Sequence, residues 1–443
     1  MTSSPLQHAD PSLQALMEKR PNLTLTEQGL SMSGVALSDI AAECGTPCWV
    51  IDATFLRKRY RLLKATMQAT GLDIALHYAM KANSHLAVLS LLATEGAGMD
   101  IVSIGEFEKA LHSGVPPAKM IFSGVGKTHQ ELTLAVSHAI GQINIESAEE
   151  LEMLAEVCTH LQKKVPIALR VNPDVDAQTH AKITTGKAEN KFGIAFDDAL
   201  ALYAKAQAHP YLEPLGFACH IGSQITNMAP FNVAFERLAG LVRAAREQNL
   251  TVKTLDCGGG VGISYRLEEE GSISSLAACL SQHFSGLDVK ISLEPGRWLI
   301  GPCGVLLSTI IRKKKTSLTT FLIIDAAMND LLRPSLYEAW HGILPLRTAA
   351  FSQPQEHVAV VGPVCESGDT FSSDRVLPHL QPDDQIAILD TGAYGAVMSS
   401  TYNARPLATQ VMIENGQWSV ITPRLPLSAL WERETIPFTE TET

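Results

Sequence analysis

Aromatic residues are scarce in this chain of 443 residues, at 6%, and no apolar run approaches the roughly 18 residues that a membrane-spanning helix needs. A basic excess is also missing. Lys and Arg number 35 against 46 Asp and Glu, a formal charge of −11, which argues against a nucleic-acid binder, where a basic face is the minimum requirement. The opening MTSSPLQHADPSLQALMEKRPN has neither a basic n-region nor an apolar h-region, and no secretory signal is expected. The eight cysteines (44, 48, 158, 219, 257, 279, 303 and 365) are scattered, and only Cys44 and Cys48 are close. That pattern suits neither a zinc site nor a disulfide framework, so no metal is expected, and a reducing, cytoplasmic location is. What is present is a globular balance of 46% hydrophobic and 18% charged residues, which excludes intrinsic disorder. The length fits two or three domains, or one barrel with an addition.

From residue 73 a short apolar stretch, a polar or glycine-rich end and a helix-like segment recur. The strand-like stretches begin at 73-DIALHYAMKA, 97-AGMDIVS, 120-MIFSGVG, 142-QINIES, 167-IALRVNP, 215-LGFACHIG, 254-TLDCGGGVG and 290-KISLEPGR. Near-continuous apolar runs of this length suit parallel strands buried on both faces. Ser103…Glu106, Thr128…Glu131 and Ser147…Glu150 have the spacing of capping boxes that start helices. Past the third, Leu154, Val157, Cys158 and Leu161 mark one apolar helix face. Eight such units make a (β/α)8 barrel over 41–299. After residue 300 the strands at 304-GVLLSTIIR, 319-TTFLIIDAAM, 357-HVAVVGPV, 385-QIAILDTG and 408-ATQVMIENGQWSVIT are separated by turns, with Asn415-Gly416 a hairpin signal. The fold class is therefore α/β plus β: a TIM-type barrel and a mostly β domain over 300–443. Residues 1–40 are expected to pack with the β domain.

Barrel active sites lie at the C-terminal ends of the strands. Those ends carry Lys81, Asp100, Arg170, His220, Asp256 with Gly258, Gly259 and Gly260, and Glu294 with Arg297. A barrel interior needs only branched aliphatic residues, so this polar rim points to chemistry. Glycines after the seventh strand and a Glu-Pro-Gly-Arg turn after the eighth stand where barrels bind phosphate through bare backbone amides. The stretch SGVGKT is not a nucleotide P-loop, because Ile121 stands where the first glycine is required, and GGGVG lacks dinucleotide-binding spacing. A rim lysine, a phosphate cradle and a carboxylate together fit pyridoxal phosphate.

The motifs YAMKAN, CHIGSQI, DCGGGVGISY, EPGRWL, DAAMNDLLRPSLY, GPVCESGD and GAYGAVMSSTYN resemble those of the diaminopimelate decarboxylases, from about residue 40 to residue 425. These enzymes are pyridoxal phosphate decarboxylases of the alanine-racemase-like fold type. The resemblance implies decarboxylation of meso-2,6-diaminopimelate to L-lysine and CO2, the last step of lysine biosynthesis. It implies that Lys81 holds the cofactor as a Schiff base and that His220 lies against the pyridine ring. Ser223, Gly258, Gly259, Gly260 and Gly296 would bind the phosphate, with Arg297 nearby and Tyr394 closing the site. Glu294 would pair with the pyridine nitrogen. Substrate would be held by Arg297, Arg333, Tyr337, Glu366 and Tyr394, with Cys365 as the proton donor. In the family the Cys-Glu-Ser segment comes from a neighbouring subunit, which implies a homodimer with shared active sites. One departure is Ala327, where the family usually has glycine.

Alternatives stand beside several of these readings. Glu106 serves either the cofactor lysine or a helix cap, and the cap is preferred. Arg170 is either a site residue or an ion-pair partner within the barrel. Cys219 and Cys257 are read as core fillers. A decarboxylase of the same fold acting on ornithine, arginine or carboxynorspermidine is the nearest rival. A racemase is disfavoured by Glu294, since racemases of this fold tend to place arginine there. A non-catalytic pyridoxal phosphate carrier is disfavoured by Arg333, Glu366 and Tyr394.

Overall fold

The structure, a computed structural model, describes residues 10–176 and 191–437. It divides into two compact units. One comprises Phe55–Ser264 and Glu268–Pro302; the other holds the described residues up to Thr54, Tyr265–Leu267 and those from Cys303 on.

The first unit contains all eight expected strands: β1 (Ile74–Ala79), β2 (Gly98–Ile101), β3 (Met120–Phe122), β4 (Gln142–Ile145), β5 (Val165–Asn172), β6 (Leu212–Ala218), β7 (Thr254–Asp256) and β8 (Lys290–Leu293). Each pairs in parallel with its sequence neighbour, and β1 pairs with β8, so the sheet closes into a barrel. Closure leaves no free edge to template aggregation.

The helix starts follow the sequence signals with one refinement. Thr128 and Glu131 form a complete capping box. Ser103 and Ser147 cap the amides of Glu106 and Glu150, but each acid accepts from a residue one earlier than the cap: Glu106 from the Val102 amide (2.8 Å) and Glu150 from the Glu146 amide (3.0 Å). Glu150 also pairs with buried Lys127 at 2.6 Å, so the lysine of SGVGKT is a structural ion pair and not a phosphate ligand.

In the second unit the long strand Gly304–Lys315 is the hub. It pairs antiparallel with Thr320–Ile324, Gln385–Ile388 and Cys48–Asp52. The last of these corrects the expected boundary. Residues 41–54, read as the start of the barrel, belong to the β unit, because Cys48–Asp52 is fully buried between Gly304–Lys315 and Thr409–Glu414 in its sheet. Thr409–Glu414 and Gln417–Thr422 form the expected hairpin, and Asn415 (φ 52°) and Gly416 (φ 76°) take the left-handed pair of conformations that a two-residue turn requires.

Candidate active site

The barrel rim gathers its polar residues around a cavity of ≈ 160 Å³ lined by Lys81, Ser123, Asn144, Arg170, His220, Asp256 and Glu294, among others. Lys81 follows β1 in a single 3₁₀ turn, and its Nζ lies 2.8 Å from Asp100 Oδ2 on β2. Asp100 is wholly buried, and its second oxygen has no partner among the described residues. The lysine side chain keeps 35% exposure, so it is held by the acid yet open to the cavity.

Glu294 and Asp256 are buried side by side and hydrogen-bonded to each other. Burial, reinforced by Asp100 and Asp256, pushes the Glu294 carboxyl far above the usual carboxylate range. Asp256 is also raised by burial but stabilised by the Asn144 amide (2.8 Å) and the Gly258 N–H (3.0 Å), so Glu294 is the partner that keeps a proton. Ser123 donates to Glu294 at 3.4 Å, and Asn144 bonds Ser123. Three acids converge here, while Arg170 is occupied by Glu146 at 2.6 Å and stacks on Phe192. The site is short of a cation.

The glycine loop after β7 cannot carry side chains. A Cβ on Gly258, Gly259 or Gly260 would lie 2.6, 2.1 or 2.4 Å from the carbonyl oxygen of Cys219, Glu294 or Gly222, respectively. Gly259 donates to His220 Nδ1 at 3.2 Å, which fixes a neutral ring with its hydrogen on Nε2; burial pushes the His220 pKa well below normal. Gly296, tight against Ala79 and Ala82, lets the loop after β8 approach the end of β1. Arg297 next to it is buried and reaches the Ser223 hydroxyl through Nε (3.2 Å) and Nη2 (3.1 Å). Lysine at the rim, a bare-backbone cradle and an acid-rich floor fit a phosphorylated pyridine with a protonatable ring nitrogen.

Residues 55–301 match the family described as pyridoxal-dependent decarboxylase, pyridoxal binding domain. The diaminopimelate decarboxylase of Zymomonas mobilis is 44% identical over 408 residues, which are 91% of this chain and 96% of that protein. The chain belongs to the diaminopimelate decarboxylases of that family. Among solved structures, the Helicobacter pylori diaminopimelate decarboxylase complexed with L-lysine has a TM-score of 0.85 at 37% identity, over 89% of this chain and 98% of that one. The M. jannaschii diaminopimelate decarboxylase in co-complex with L-lysine has a TM-score of 0.89 at 32% identity, over 95% and 99%. Membership in this family makes pyridoxal phosphate the cofactor.

The β unit carries the remaining family motifs. Arg333 is buried, donates to His341 Nε2 at 2.6 Å and lies over the Tyr265 ring. His341 Nδ1 faces the Leu389 carbonyl at 2.7 Å, so this imidazole is neutral as well. Tyr337 ends the short helix begun by Arg333 and is half-buried. Tyr394 is held at φ 55°, a conformation costing a bulky residue about 1–3 kcal/mol and typical of functional positions. Cys365 and Glu366 are exposed; the Cys365 amide donates to Asn403 Oδ1 at 3.0 Å, and Glu366 bonds the Tyr402 phenol. Ala327 is absent from the positive-φ residues, so alanine replaces glycine there without backbone strain.

Sequence reasoning missed the role of Asn144 and the work of Asp369. Asn144 was legible: Gln142, Asn144 and Glu146 alternate through QINIE, and period-two polar residues in a barrel strand point inward. Asp369 ties the DAAMND turn to the Cys-Glu-Ser loop by accepting from the amides of Met328 (2.7 Å) and Val364 (2.8 Å), a contact that no spacing announces.

Glu106 supplies a pH prediction. Burial, assisted by Asp100, pushes its pKa up to about 7. A group that binds its proton more tightly folded than unfolded contributes stability that is complete at low pH and is lost as pH rises through about 7. Denaturant midpoints measured from pH 4 to pH 8.5 should therefore fall more steeply for the parent than for Glu106→Gln. Identical slopes would remove Glu106 from the balance.

Proposed function

We propose that the chain decarboxylates meso-2,6-diaminopimelate to L-lysine and CO2, as a cytoplasmic homodimer. The observation that carries this reading is the rim cavity, where Lys81 faces three buried acids in a chain 44% identical to a diaminopimelate decarboxylase over nearly its whole length. Among the described residues, no helix is long and apolar enough to cross a membrane.

Bound pyridoxal phosphate supplies an electron sink for the pair of electrons that departing CO2 leaves behind. Lys81 would anchor it, and Gly258, Gly259, Gly260, Ser223 and Gly296 would hold its phosphate. His220, neutral and unable to compete for the ring's positive charge, would lie against its face. Glu294 would hold the ring nitrogen protonated: the proton that burial keeps on this carboxyl is the one it can share with a pyridine. Guanidinium forks suit the carboxylate that the substrate keeps, and an acid suits its distal ammonium. Arg297, Arg333, Tyr337 and Tyr394 would take the first role, and Glu366 the second. The Cys365 thiol would return a proton to the carbon that lost CO2.

CO2 release from purified protein, assayed side by side with meso-diaminopimelate, ornithine, arginine and carboxynorspermidine, separates this reading from its rivals. Fastest turnover of diaminopimelate is expected. No release from any of them would leave a pyridoxal phosphate carrier.

Cys365 and Glu366 are proposed to act in the partner chain's active site. Mixing Lys81→Ala with Cys365→Ala/Glu366→Ala puts both defects in one site of each mixed dimer and neither in the other. Random exchange makes about half of the dimers mixed, so activity should return to about a quarter of the parent value. Silence after demonstrated subunit exchange would mean that each site is built within one chain.

A further inference from the structure

The opposite end of the barrel holds a second polar cavity, of ≈ 230 Å³, lined by Tyr60, Lys64, His77, Gly98, Lys119 and Lys290 among others. Its chemistry is the reverse of the active rim. Three lysines and a histidine face it, and among the described residues no carboxylate lines it. Exposed lysines at a barrel mouth ordinarily form a solvated face. Three observations distinguish these.

The first is register. His77 pairs with Gly98 on β2, two residues before the Ala79–Asp100 pair. Side chains alternate along a strand, so His77 shares the inward face with Asp100. Lys290 likewise precedes Ser292 on β8 by two residues, on the face that continues to the buried Glu294 just past the strand's end. The second is the unmatched charge. Lys119 and Lys290 have no ion-pair partner among the described residues, and Lys64 donates to the Glu95 backbone carbonyl (3.1 Å) and lies over the Tyr60 ring, while the Glu95 carboxylate is taken by Arg57 and Arg61. In a chain of net charge −11, an unpaired basic cluster is unusual. The third is His77 itself. Its Nδ1 is buried with no hydrogen-bond partner among the described residues, and burial, with Lys290 and Lys119 adding, lowers its pKa to about 4. The one carboxylate acting on it, Asp100, is already engaged by Lys81. Gly98 makes the room: a Cβ there would lie 2.3 Å from the His77 ring.

We propose that this mouth is a binding site for a small phosphate-type oxyanion, with Lys119 and Lys290 supplying charge and His77 a neutral N–H donor. Ammonium groups bind phosphate as point charges, and a neutral imidazole beside them offers one N–H to an anion. A cavity of ≈ 230 Å³ has room for an inorganic ion or a short phosphate monoester. His77 precedes Lys81 by four residues, and the site lies at the other end of the barrel from the proposed phosphate cradle.

Calorimetric titration of the cofactor-saturated protein tests this, with inorganic phosphate and glycerol 3-phosphate as separate probes at ionic strength fixed by chloride. One saturable site per chain is expected for at least one probe. Tighter binding of the ester assigns the site to a phosphorylated metabolite, and tighter binding of phosphate to the free ion. Lys119→Ala/Lys290→Ala, both exposed and remote from the active rim, should keep decarboxylase activity and weaken binding at least about tenfold. His77→Phe removes the donor while retaining an aromatic ring and should weaken it independently. Absence of saturable binding by either probe, or undiminished affinity in the lysine variant, overturns the proposal.

Discussion

Replacing Lys81 with alanine is expected to lower turnover by about 10³-fold or more, since on the proposed reading the change removes the group that anchors the cofactor. The structural reason is the position of the ammonium, bound to a fully buried Asp100 at 2.8 Å yet open to the rim cavity. Borohydride reduction of the parent should fix the cofactor on the peptide containing Lys81, and the alanine variant should lose that label. Lys127 is the useful control, because its charge is spent on Glu150 inside the protein. Label recovered on Lys127 or any other lysine would overturn the assignment.

Glu294→Gln should cost about 10²–10³ in kcat, the usual penalty for removing one electrostatic contact made in the transition state. Glutamine keeps the shape and a hydrogen bond but has no acidic proton to transfer to a pyridine nitrogen. The cluster with Asp256 and Asp100 makes this position sensitive, because burial and two neighbouring acids are what drive the proton onto Glu294. Cofactor affinity should fall less than kcat, as the glycine loop proposed for the phosphate and Lys81 are untouched. Turnover at the parent rate with saturating cofactor would refute the electron-sink role.

The barrel was legible because its eight strands are buried on both faces, and such strands read as apolar runs whatever surrounds them. The rim residues were legible because Lys81, His220 and Glu294 break those runs at their C-terminal ends. The Asn415-Gly416 turn was legible for a local reason, since few residue pairs tolerate two consecutive left-handed conformations. The boundary near residue 54 was not legible. Cys48–Asp52 is apolar and short, equally fit for a barrel strand, and what decides its sheet is pairing with Gly304–Lys315 and Thr409–Glu414, more than 250 residues away in sequence. Thr370–Pro378 was missed because TFSSDRVLP is polar at several positions and is held as a strand by Gln355–Val361.

The sequence by itself determined the fold class, the cofactor chemistry and the residues at the rim, since these depend on residue type and on periodicities that each segment carries alone. Only the tertiary structure decided which acid keeps the proton, that Arg170 and Lys127 are spent on ion pairs, and that Lys64, Lys119 and Lys290 gather at the far mouth of the barrel. Proton affinity depends on burial and on charges brought together across the barrel, as with Asp100, Asp256 and Glu294 at the ends of three separate strands, and no local pattern encodes that sum.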